Sequence, residues 1–301
     1  VTPGTRSAIG LRLVALVAAA GLALPAASCG GQRPGAGPAT SPGPPAEGAP
    51  PGPRATIPRR PASLARALTA NTRMLLAAID AWRREGATGR PPREVMLRAL
   101  YHQRVHILLA SRPRLARRVL ARLPRRLASE ARDLVAARRA LGSLAGPPPP
   151  LRHWRTGRPL TPGVLMGFYR RAERRFGVSR RVLAAVNLVE TGFNRLRNRS
   201  TSGARGPMQF MPSTWRAHGL AGDIDDPHDA IMGAANYLRA SGAPRDYPRA
   251  LYAYNPSRLY VDAVLRYARR MRRDFSEYYV LYGWQVFVRT RSGGLRRLTG
   301  P

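Results

Sequence analysis

The chain has 301 residues, 44% of them apolar, which allows one or two domains with a real core. Its formal net charge is +35 and every basic residue is arginine, so polyanionic surroundings are expected: nucleic acid, anionic lipid head groups or acidic wall polymers. A single cysteine, Cys29, excludes an internal disulfide and cannot build a metal site by itself.

Arg6 and Arg12 flank the start of an apolar run over residues 13–24. That run is too short to span a bilayer comfortably as a helix, and its basic start and small-residue end fit a secretory signal. The end, Ala26-Ala27-Ser28-Cys29-Gly30, resembles a bacterial lipobox, with Ala26 where leucine is usual. The resemblance implies lipidation of Cys29 as the new first residue and anchoring on the outer face of the cell membrane. Cleavage near Ala27 would instead leave a secreted or wall-associated protein. Residues 1–29 are therefore expected to be a signal peptide with its lipobox. Residues 30–60 are rich in Pro, Gly and Ala, as in Pro50-Pro51-Gly52-Pro53, and are expected to form a semi-extended spacer without a core.

Residues 61–146 show helical spacing. Leu64, Leu68, Leu75, Leu76 and Ile79 form one series, and Val95, Leu97, Leu100, Val105, Leu108 and Leu109 a second. Pro113 and Pro124 mark further helix starts or breaks, so three or four helices packed as hairpins are expected. From Arg59 to Arg139 there are 20 arginines against five acids. That bias fits a solvated face on a helical spacer, or contact with anionic wall polymer or lipid. Specific nucleic-acid binding is not expected of an exported chain.

Residues 151–278 are again helical, interrupted by glycines and polar loops. Ser179 is a candidate N-cap for a helix ending near Thr191. Leu183, Val186 and Glu190 share one face of it, which puts a carboxyl at the C-terminal end of an apolar stripe. Desolvation and the helix C-terminus both disfavour the charged form, and a carboxylic acid still protonated near neutral pH can act as a general acid. An ordinary exposed glutamate in the last turn fits the same pattern. Further on come Gly206-Pro207-Met208-Gln209 with Met211-Pro212-Ser213-Thr214, and then Ala253-Tyr254-Asn255. Glycines allow close backbone approach, Gln209 offers a donor and an acceptor, and methionines offer adaptable apolar surface; together these suit an N-acetyl sugar. The acidic stretch Asp223-Ile224-Asp225-Asp226 is expected to be a solvated loop. His153, His218 and His228 show no ligand spacing, and no metal or organic cofactor is expected. In the tail, residues 279–301, Trp284, Val286 and Val288 alternate with Gln285, Phe287 and Arg289 before Ser292-Gly293-Gly294, which predicts a short β-hairpin. The hairpin is expected to be a structural flap on the domain; the alternative is a grip on glycan, with Trp284 stacking on a sugar.

In this order the three clusters resemble the soluble-lytic-transglycosylase domain, over residues 164–270. That family shows a helix ending in Glu-Ser, then Gly-Leu-Met-Gln before Met-Pro-x-Thr, then Ala-Tyr-Asn. Here Thr191 replaces the serine, Pro207 the leucine, and Pro256-Ser257 the Ala-Gly after the asparagine. The resemblance implies a mainly α protein: a lysozyme-like helical catalytic domain preceded by the Arg-rich helical region, with the short C-terminal β-hairpin. It further implies peptidoglycan glycan strands as substrate and non-hydrolytic cleavage to 1,6-anhydro products. Glu190 would be acid and base, Thr191 and Tyr254 its supports, and Gly206, Met208, Gln209 and Asn255 the sugar contacts. A lysozyme-like hydrolase using a second carboxylate, or a wall-binding module with a decayed site, are the alternatives.

Overall fold

A computed structural model describes residues 48–146, 150–290 and 294–301. The leader, the lipidation expected at Cys29 and the first part of the spacer lie outside the described residues. The fold is mainly helical: α1 (Pro61–Arg84), α2 (Arg93–Ser111), α3 (Pro113–Leu120), α4 (Arg125–Leu144), α5 (Pro162–Phe176), α6 (Arg180–Thr191), α7 (Pro212–His218), α8 (Pro227–Ala240), α9 (Tyr247–Tyr254), α10 (Arg258–Arg273) and α11 (Ser276–Tyr282). A two-stranded antiparallel sheet closes the chain, β1 (Phe287–Arg289) on β2 (Leu295–Arg297), with Val288 opposite Arg296. No described helix is long and apolar enough to cross a membrane.

Prolines open α1, α3, α5, α7, α8 and α9 in the first turn, where a missing N–H costs nothing. In α1, Leu64, Leu68, Leu75 and Ile79 make the buried stripe that their spacing announced. Leu64 and Leu68 join Val105, Leu109, Val119 and Leu127 in a small core within the first four helices.

The Arg-rich helices pack against the region that follows them. Leu75, Ile79, Ala99, Leu134 and Leu141 share one hydrophobic cluster with Leu183, Val186, Val264 and Tyr278 of the following region. Helix α4 lies along α10, and acids of α4 fasten it there. Asp133 pairs with Arg266 at 2.9 Å and Arg269 at 2.6 Å, while Glu130 pairs with the buried Arg270 at 2.9 Å. Two of the five acids of the arginine-rich stretch thus pair with arginines of another helix, which a net-charge count cannot reveal.

The expected spacer also changes character before its end. Arg98 donates to the Gly48 carbonyl and Arg104 to that of Ala55 at 2.8 Å, while Ala55 and Ile57 pack on the small core. This stretch cannot fold on its own apolar content, but α2 supplies both donors and an apolar surface.

Trp284 overturns one expectation. It is only 3% exposed and lies among His102, His106 and Tyr267, with the Arg138 guanidinium 5.4 Å from its ring centroid. A sugar cannot stack on it. Next to it, Gln103 and Gln285 exchange two bonds of 2.7 Å, Gln103 Nε2 to the Gln285 carbonyl and Gln285 N to Gln103 Oε1. They pin the tail to α2.

Candidate active site

Helix α6 runs through the middle of the second region and is buried from Val182 to Thr191. Ser179 caps its start by accepting from Arg181 N. Gly192 ends it at φ 62°, and Phe193 and Asn194 follow at φ 59° and 67°. Two non-glycine residues in the left-handed region cost roughly 1–3 kcal/mol each, so something must hold them there.

The buried Asn187 supplies that restraint. Its Nδ2 lies 2.7 Å from Asn194 Oδ1 and 2.9 Å from the Pro207 carbonyl, while Tyr169 donates to its Oδ1 at 2.6 Å. Thr191 Oγ1 donates to the same Pro207 carbonyl at 2.7 Å and accepts from Asn194 N at 3.0 Å. The end of α6 and the loop at 203–210 are therefore one hydrogen-bonded unit. The hydroxyl that Thr191 shares with the family's serine is in use. What the unit takes from Pro207 is its carbonyl, so the N–H lost with leucine is not needed for these bonds.

The loop itself is tightly built. Arg205 and Phe210 exchange backbone bonds of 2.9 Å in each direction. Gly206, at φ 75°, lies so close to the next loop that a Cβ there would sit 1.9 Å from the Ile224 carbonyl oxygen. Gln209 takes φ 49° and donates its side-chain amide to the carbonyls of Gly206 at 3.0 Å and Asn198 at 3.2 Å. Met208 is fully buried in the main core, so its side chain shapes the loop from beneath and presents no free apolar surface.

Glu190 is 2% exposed, one residue from the end of α6. Tyr260, buried near the start of α10, donates to Glu190 Oε1 at 2.7 Å. Ser257 caps α10 by accepting from Tyr260 N, so the cap and the donor are neighbours. The resemblance gave Tyr254 the orienting role. In the structure the Tyr254 hydroxyl donates to the Met208 carbonyl at 2.6 Å, and Tyr260 supplies a donor to the acid. Asn255 is buried beside Tyr254, and its Nδ2 has no hydrogen-bond partner among the described residues. Spacing to Glu190 could not have found Tyr260 or Asn187, since neither belongs to the motifs. The one signal for Tyr260 was its place just after a Ser cap.

The acidic stretch serves its own surroundings. Asp225 pairs with Arg205, and this raises the Arg205 pKa. Asp226 caps α8 by accepting from Asp229 N at 3.0 Å, and Asp229 accepts from Asp223 N at 3.0 Å. That hydrogen bond, followed by His228, holds the Asp229 carboxyl below the usual carboxylate range. His228 stands 3.0 Å from Asp229 and close to Asp226, both its near neighbours in sequence.

Residues 168–274 match the family model described as the transglycosylase SLT domain. Glu190, Thr191, the 203–210 loop, Tyr254, Asn255 and Tyr260 all fall inside that span. No solved structure matches the chain.

Proposed function

We propose, on the premise that residues 168–274 are a transglycosylase SLT domain, that this protein cleaves peptidoglycan glycan strands without water. The bond broken is the β-1,4 link between N-acetylmuramic acid and N-acetylglucosamine. The observation that carries the proposal is a buried carboxyl, Glu190, at the end of α6, held by the Tyr260 hydroxyl at 2.7 Å.

Glu190 in its acid form gives its proton to the glycosidic oxygen as the C1–O bond breaks. The substrate's own acetamido oxygen stabilises C1, an exception to the two-carboxylate scheme. The Glu190 carboxylate then takes the proton of the C6 hydroxyl, whose oxygen closes onto C1 as a 1,6-anhydro ring. Glu190 ends protonated, ready for the next cycle. Tyr260 can donate to its carboxylate as that charge develops, which favours the first step. Asn255 Nδ2, buried and without a partner among the described residues, suits a sugar carbonyl or hydroxyl oxygen. Gln209 spends its donors on the loop, and its side-chain oxygen can accept from an acetamido N–H. Gly206 and Met208 contribute through backbone shape.

The test is product analysis with the whole chain, since the first helices share the main core. Wild type should release muropeptides with anhydro ends. Glu190→Gln should keep the fold and lose at least the 10²–10⁴-fold typical of a general acid. Reducing ends in the wild-type products, or full activity in the variant, would refute the proposal. The same proposal includes export, with Cys29 lipidated at the membrane surface and the arginine-rich face available to anionic wall polymer or lipid. Mass spectrometry of the mature N-terminus checks the lipidation, and an unmodified Cys29 there would exclude it.

A further inference from the structure

A cavity of about 510 Å³ opens where the α1–α2 connection, the 156–159 segment, the turn after α6 and the C-terminal tail meet. None of Glu190, Met208, Gln209, Tyr254, Asn255 or Tyr260 lines it. Its cationic groups are Arg90, Arg158 and Arg195, and no acid is among its lining residues.

Arg195 is the fixed part. It is 3% exposed, donates to the Gly192 carbonyl at 2.9 Å and the Tyr282 carbonyl at 2.7 Å, and lies 4.8 Å from the Tyr282 ring centroid. Those partners are neutral. No described carboxylate makes an ion pair with Arg90, Arg158 or Arg195. Burial lowers the Arg195 pKa to about 10, which leaves it charged at neutral pH. Arg90, Arg195 and Tyr282 all line the cavity, and both guanidiniums oppose the upward shift that burial gives the Tyr282 hydroxyl. An uncompensated buried guanidinium is expensive, and an anion that reaches it gains strong, charge-assisted bonds. The remaining wall is mixed: Pro91, Met96, Pro159 and Leu298 form an apolar part beside the polar Thr156, Gln285 and Thr299. A hydrated phosphate gains nothing from the apolar part; a carboxylate carried on a small apolar residue gains from both the arginines and that part.

We infer that this cavity binds the free α-carboxylate end of a short peptide whose last residue is small and apolar. Peptide branches of wall glycan carry that chemistry, and this identification rests on the proposed function; the carboxylate specificity does not. The cavity would then hold a peptide branch while Glu190 acts on the glycan.

Calorimetric titration of the full chain with acetyl-D-alanyl-D-alanine tests it, with its C-terminal amide and inorganic phosphate as comparison probes. The free acid should bind, and the amide should bind at least tenfold more weakly. Arg195→Gln risks misfolding because the residue is buried, so the exposed Arg90→Gln and Arg158→Gln are used, each weakening the free acid by roughly tenfold, the worth of one charged hydrogen bond. No binding of the dipeptide, equal binding of acid and amide, phosphate binding as tight as the dipeptide, or unchanged binding in both variants would each overturn the inference. Glu190→Gln should bind as wild type does. If wild type binds the dipeptide but releases no anhydro products, the proposed activity fails and the site stands.

Discussion

Tyr260→Phe isolates one hydrogen bond at the acid. The ring remains, in a site where Tyr260 is fully buried, so packing is preserved; the donor to Glu190 Oε1 at 2.7 Å is removed. A hydrogen bond to a charged group is worth about 1.5–3 kcal/mol, and the site is too dry for water to replace it cheaply. If the bond stabilises Glu190 as its charge develops during glycosidic cleavage, that energy is lost from the transition state. The expected fall in kcat is then about 10- to 150-fold, at 1.36 kcal/mol for each factor of ten. kcat/KM should fall equally, because the bond stabilises the transition state and not bound substrate. The assay is the initial rate of anhydro-muropeptide release, with thermal unfolding as a control. Wild-type kcat in a variant with unchanged Tm would show that the hydroxyl has no part in the chemistry.

Gly206→Ala should destabilise the loop by roughly 2 kcal/mol or more, since φ is 75° and the new Cβ would meet the Ile224 carbonyl oxygen at 1.9 Å. A drop in Tm of roughly 4–8 °C is expected, and no drop would mean the 223–226 loop gives way freely. Glu277 makes stability depend on pH. Burial, opposed by Arg270 and aided by Glu130, pushes its carboxyl from 4.5 up to about 7. Its neutral form stabilises the fold fully below pH 4.5, and that contribution is lost as pH rises through 7, about 3 kcal/mol in all. Buried His102 and His106 act oppositely, losing stability as pH falls, with His106 lowered to about 4. Comparing Glu277→Gln with wild type by denaturant unfolding cancels the histidines. The variant should gain on wild type between pH 5 and pH 8, and a difference that does not change with pH would refute the assignment.

Much of this protein was legible locally. The Ser179 cap, the periodic leucines of α1 and the short hairpin that pairs Phe287–Arg289 with Leu295–Arg297 act over a few residues, so the chain alone specifies them. The order of the Glu190, Gly206–Gln209 and Tyr254-Asn255 clusters was equally plain, because each motif is short and continuous. Tertiary structure decided which partners these elements meet. Periodicity says that a helix face is apolar but not what covers it, so α4 read as part of a spacer and proved to brace α10 through Asp133 and Glu130. An aromatic residue is equally suited to a sugar or a core, and Trp284 became core because α2 and α4 close over it. Tyr260 reaches Glu190 across seventy residues of sequence. Only the crossing of α10 over α6 brings that hydroxyl to the acid, since hydrogen bonds depend on ångströms in space and sequence separation does not set those distances.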